Sequence, residues 1–161
     1  MTSTKALGTY LQDHLAGATA GSELARKLGS EYTTGPLGGF LSELSRDIDQ
    51  DKDTLTEVMG SLDISPDVIK QATGWVAEKM TRLKLSDRMT GDPDLTRLME
   101  FEVMSIGIEG KLALWRALIA VADELPGLAG VDLPGLAKRA EHQIAGLEEH
   151  RLEAARAALV A

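Results

Sequence analysis

Between residues 36 and 62 the apolar side chains alternate spacings of four and three: Leu37, Leu41, Leu44, Ile48, Leu55, Val58 and Leu62, with Asp51 as the one polar member of the register. This is the seam of a helix packed lengthwise against neighbours, and it leaves an antiparallel helical bundle as the natural architecture. Three other long stretches repeat the pattern. Residues 4–29 carry Leu7, Leu11, His14, Ala18, Gly21, Ala25 and Leu28 on one stripe. A helix begins after the Asp92-Pro93 cap and first-turn proline and runs to about residue 125, with Leu95, Leu98, Met99, Ile106, Ala113, Ala117 and Leu118 on its stripe. Asp132 caps a last helix over 133–160, on the stripe of Leu133, Ala137, Ala140, Ile144, Leu147, Ala154 and Ala158. A shorter helix is predicted over 65–85, with Ser65 as cap and Pro66 at its first position. At 1.5 Å per residue it reaches about 30 Å, enough to carry the chain from one end of a bundle to the other. No stretch reads as a strand. The prediction is an all-α single domain over 1–161.

Composition narrows the function. The net charge of -8 and the 4% aromatic content argue against nucleic acid, which attracts basic surfaces and aromatic stacking platforms. No apolar run approaches the roughly 20 residues of a membrane span, and the start lacks a signal-peptide core, so a cytoplasmic protein with no membrane partner is expected. With no cysteine, thiolate metal sites and cysteine nucleophiles are excluded. Lys79, Arg82, Lys84 and Arg88 form a local basic patch, read as solvated surface or a docking site. A homo-oligomer or a protein partner remains the class of macromolecular contact compatible with the chain.

Polar residues interrupt each of the four apolar stripes. Glu102 and Glu109 fall on the stripe of the helix beginning at Pro93, two turns apart, and Arg151 falls on the last. Reflecting positions through the turns puts His14, Asp51, Glu109 and Glu148 on one layer, one from each long helix. Arg151 then lies beside them and Glu102 two turns away, near Gly21 and Leu44. Gly17 and Gly21 form a small-xxx-small pair, which means close helix approach or room for a ligand.

The helix order resembles the ferritin-like superfamily over the whole chain: two long helices, a helical crossover between the second and third, then two more. The phrases YLQDHLAGATAGSELARKL and GIEGKLALWRAL also resemble a group of small uncharacterised ferritin-like proteins of high-GC bacteria. The resemblance implies a four-helix bundle and, in the superfamily's working members, two iron or manganese ions held by carboxylates and Glu-x-x-His motifs. Here Glu148 is followed three residues later by Arg151, and Glu141 by Ile144, so the histidines of that motif are missing.

Two readings of the polar layer follow. In the first, Arg151 and His14 balance Asp51, Glu109 and Glu148, with Glu102 in the same buried network, and the protein is a binding or scaffold module without catalysis. In the second, His14, Asp51, Glu109 and Glu148 are hard donors for iron or manganese. A small-molecule pocket near Glu102, where glycines and alanines leave space, is the third. No nucleophile elbow and no phosphate-binding loop is present, so no enzymatic activity is assigned.

Overall fold

The computed structural model describes residues 4–66 and 91–160, and every described element is helical. Four long helices, α1 (Thr4–Glu31), α2 (Gly35–Ser61), α3 (Pro93–Ala120) and α4 (Leu133–Val160), carry the structure, and two short 3-10 turns, Ala122–Glu124 and Pro126–Leu128, close the α3–α4 connection. The helix expected over 65–85, and with it the basic patch, lies outside the described residues beyond Pro66. None of the described helices is long and apolar enough to cross a membrane.

The helix ends follow local chemistry. Asp92 accepts hydrogen bonds from the Asp94 and Leu95 backbone N–H groups, and Asp132 from that of Gly135, so both predicted caps satisfy otherwise orphaned donors. At the end of α2 the Ile64 N–H reaches the Met59 carbonyl and the Asp63 N–H that of Gly60. Asp63 takes φ 57°, the left-handed conformation this double closure requires. The predicted extension of α3 to residue 125 is corrected: the helix stops at Ala120. Pro126 disfavours a helical Leu125, and Leu125 and Leu128 turn inward to seal the end of the core.

The chain pairs as two hairpins, α1 with α2 and α3 with α4. Lys27 of α1 meets Glu100 of α3, while Asp51, about level with the middle of α1, meets Lys111 further along α3. Moving back along α1 therefore means moving forward along α3, and the two run antiparallel. Since α2 reverses α1 and α4 reverses α3, the directions are up, down, down, up. α2 thus ends and α3 begins at opposite ends of the bundle. The 3-10 turn at Gly127 closes the first of those ends against the Ser61 carbonyl.

One apolar core runs between the helices. On α2 the heptad positions Leu41, Leu44, Ile48, Asp51, Leu55 and Val58 are buried, joined by Gly38 and Met59, while the heptad's end members Leu37 and Leu62 are half-buried. α4 buries Leu133, Ala137, Ala140, Leu147 and Ala154 as predicted, with Gln143 added. α3 departs from its predicted face. It buries Leu98, Phe101, Met104, Ile108, Leu112, Trp115 and Leu118, leaving Ile106 45% exposed and Ala113 at the surface. Apolar residues surround most of this helix, so two stripes fit the period. The one carrying Phe101 and Trp115 removes more apolar surface from water and faces inward.

Candidate functional site

Between α1 and α3, with α2 behind, lies a cavity of about 540 Å³. Its walls follow from the register. Lys27 meets Glu100, so Gly17, ten residues back on α1, is level with Gly110, ten residues on along α3, and Gly21 is level with Ile106 and Gly107. All four glycines line the cavity. Glycines facing each other across two helices ordinarily bring backbones together, which was one of the two expectations for Gly17 and Gly21. Here they do not: a Cβ added at any of the four would meet no atom within 4 Å. The missing side chains leave space.

One end of that space is apolar, formed by Leu24, Val103 and Met104; the other is polar, where Asp51, Lys111 and His14 approach it beside Trp115. Asp51 is 2% exposed and paired twice. The Lys111 ammonium donates to its Oδ2 at 2.5 Å and to Gln143 Oε1 at 2.5 Å. The Arg139 guanidinium donates to Asp51 Oδ1 and, at 3.2 Å, to Gln50 Oε1. Burial pulls the Lys111 pKa below the ordinary lysine value, and the Asp51 charge resists that shift. The cluster ties α2, α3 and α4 together at one level.

The polar layer expected from sequence is therefore reassigned. Asp51 occupies the buried seam position assigned to it, but its partners are Lys111, itself bonded to Gln143, and Arg139, in place of Arg151 and His14. Glu109 projects to solvent on the outer face of α3, and so does Glu102, because the buried stripe of that helix is the other one. Arg151 holds Glu148 on its own helix at 2.7 and 2.8 Å and reaches Glu102 of α3 at 3.2 Å. With side chains 25%, 47% and 48% exposed, that trio is a surface clasp between α3 and α4, not a buried network. The Arg151 bonds hold the Glu148 carboxyl below its usual range. His150 is half-buried with its ring tilted against Phe40, centroids 5.0 Å apart, while His142 is exposed.

The proposed metal ligands do not fit an ion. Two cations already claim Asp51, Arg151 claims Glu148, and Glu109 faces away. Among the described residues no group of three or more histidine, aspartate and glutamate side chains is placed to hold a metal.

Two other polar contacts escaped the sequence reading. Asp49 accepts from buried Ser22 and from Arg26 at 2.9 Å, and the Ser22 bond lowers its pKa. Glu100, only 1% exposed, pairs with Lys27 across α1 and α3. Both acids follow from partners on a neighbouring helix, which no periodicity within one helix reveals.

His14 is half-buried at the cavity wall, its ring edge-on to Tyr10 with centroids 4.6 Å apart. Desolvation lowers its pKa below the ordinary 6.5, with Asp13 opposing. The unfolded chain then takes up this proton at a higher pH than the folded one, so the His14 contribution is intact above pH 6.5 and is lost as pH falls below it. Urea midpoints measured from about pH 7.5 down to about pH 5 should fall less steeply in His14→Gln than in the native chain. Parallel profiles would mean that His14 does not titrate differently on folding.

No protein-family model, no curated protein and no solved structure matches this chain. What the described residues define is an all-α, four-helix protein with a glycine-walled cavity, closed at one end by a buried ion cluster.

Proposed function

We propose that this chain is a cytoplasmic, non-enzymatic binding protein of ferritin-like topology whose cavity between α1 and α3 holds a small, mainly apolar molecule. The up, down, down, up order with a long connection between α2 and α3 supports the ferritin-like assignment. The single observation that carries the binding reading is the cavity itself. Its volume of about 540 Å³ lies within the range of small-molecule sites, and its walls are apolar with a few convergent polar groups at one end. The Asp51 cluster acts as a structural network: it fixes the relative register of three helices around the space, and no chemical step is assigned to it.

A neutral naphthalene dye, N-phenylnaphthylamine, tests this directly. It should bind saturably, with one site per chain and a blue-shifted emission. Gly107→Leu, which puts an isobutyl group where open space now lies, should abolish that signal while leaving the helical circular-dichroism spectrum intact. Absence of saturable binding to the native protein would sink the reading.

A further inference from the structure

We propose that the molecule bound in the cavity is amphipathic and carries a carboxylate, seated against Lys111 and Trp115 with its aliphatic part lying between the glycine walls. The proposal rests on the cavity being a ligand site and adds the chemistry of the ligand's head. Lys111 and Trp115 stand one turn apart on α3, on the same face, and both line the cavity. Trp115 is 0% exposed, yet its indole N–H has no acceptor among the described residues. A buried donor left without an acceptor is costly, and a ligand oxygen would satisfy it.

The charges point the same way. Asp51 is one anion facing two cations, Lys111 and Arg139, while Gln143 offers only a neutral oxygen. Asp47, half-buried and 4.0 Å from Arg46, adds a more distant negative charge that also acts on Lys111 without bonding to it. Among the described residues Asp51 is the one carboxylate bonded to Lys111 and Arg139. An ammonium has three protons to donate, and Asp51 and Gln143 take two of those of Lys111. A carboxylate at the polar end of the cavity would accept the third and the Trp115 N–H together. An amine head group would meet Lys111 as a like charge, and an alcohol would offer the ammonium only a neutral acceptor. The shape agrees with a single chain. From the level of Val103 to that of Leu114 the helix rises roughly 17 Å, with glycine openings along the way.

Titration calorimetry near neutral pH with decanoic acid, decanol and decylamine separates the possibilities. The acid should bind about tenfold or more tighter than the alcohol, and the amine more weakly than either. Lys111→Met should erase the acid's advantage and keep the alcohol's affinity; Asp51 remains paired with Arg139 in that variant, so the fold should persist. Trp115→Phe should weaken the acid more than the alcohol. Equal affinities for acid and alcohol in the native chain, or an undiminished acid preference in Lys111→Met, would overturn the head-group assignment while leaving the cavity reading standing. If neither decanol nor the naphthalene dye binds, it is the cavity reading that fails.

Discussion

Asp51→Ala should destabilise the fold by about 3–5 kcal/mol, the largest loss expected from any single polar substitution in the described residues. The aspartate is 2% exposed, and its two oxygens neutralise Lys111 and Arg139, whose side chains are 14% and 30% exposed. Removing it leaves two like charges at one buried level with no carboxylate among the described residues bonded to either. Lys111 would have to shed its proton, and Arg139 would have to swing outward, away from α3. Lys111→Met should cost less, because it leaves Asp51 and Arg139 as a balanced pair and substitutes a side chain of similar length and apolar character. The double variant Asp51→Leu with Lys111→Met should recover part of the loss of Asp51→Ala, since it removes the buried Lys111 charge and leaves only Arg139, 30% exposed, to turn to solvent. Arg151→Ala supplies the contrast. Its partners are about half exposed, so the clasp it forms should contribute no more than about 1 kcal/mol. Urea denaturation of the four variants measures all of this; an Asp51→Ala loss no larger than that of Arg151→Ala would mean that the cluster is solvated.

The seams of α2 and α4 were legible in the sequence because each has one clear apolar face, and a period-seven count finds it without ambiguity. Asp51 stood out for the same reason. Its partners did not, and the cause lies in α3. That helix is apolar around most of its circumference, so the stripe through Glu102 and Glu109 fits the helical period as well as the true one. Choosing it placed two exposed acids in the core and hid Lys111 on the outside. The residues that decide the matter were present: Phe101 and Trp115, the largest apolar side chains on the helix, share a face with Lys111 and not with Glu109. Treating the two acids as markers of solvent, and the two aromatic residues as markers of the interior, recovers the correct face and puts a lysine opposite Asp51. Arg139 and Gln143 required more than this. They flank the α4 seam, and only the packed geometry of three helices brings Arg139 to the aspartate and Gln143 to its lysine. The glycines carried a real signal whose meaning was divided, since Gly17 and Gly21 suit a tight helix crossing as well as an opening. The register of α1 against α3 resolves it by setting glycines level with glycines without bringing the backbones together.

That opening has a thermodynamic signature, which separates a ligand site from loose packing. A glycine within a helix costs about 1 kcal/mol relative to alanine, so the four on the cavity walls hold the fold below its attainable stability by roughly 3–4 kcal/mol. Gly17→Ala and Gly107→Ala should therefore each raise stability by about 1 kcal/mol, since neither new methyl meets an atom within 4 Å. Gly127→Ala should do the reverse. A Cβ there would sit 2.4 Å from the Ser61 carbonyl oxygen, a backbone atom that cannot turn aside, and the resulting strain should cost about 1–3 kcal/mol. Ligand affinity should move in the opposite direction to stability only for the wall positions. Gly17→Ala with Gly107→Ala should melt at a higher temperature and bind decanoic acid more weakly, because both methyls narrow the space the chain occupies, whereas Gly127→Ala should melt lower and bind as the native protein does at temperatures where it is folded. Thermal melts and calorimetry on these variants decide the point. A double variant that gains stability and keeps full affinity would show that the ligand does not use the glycine walls.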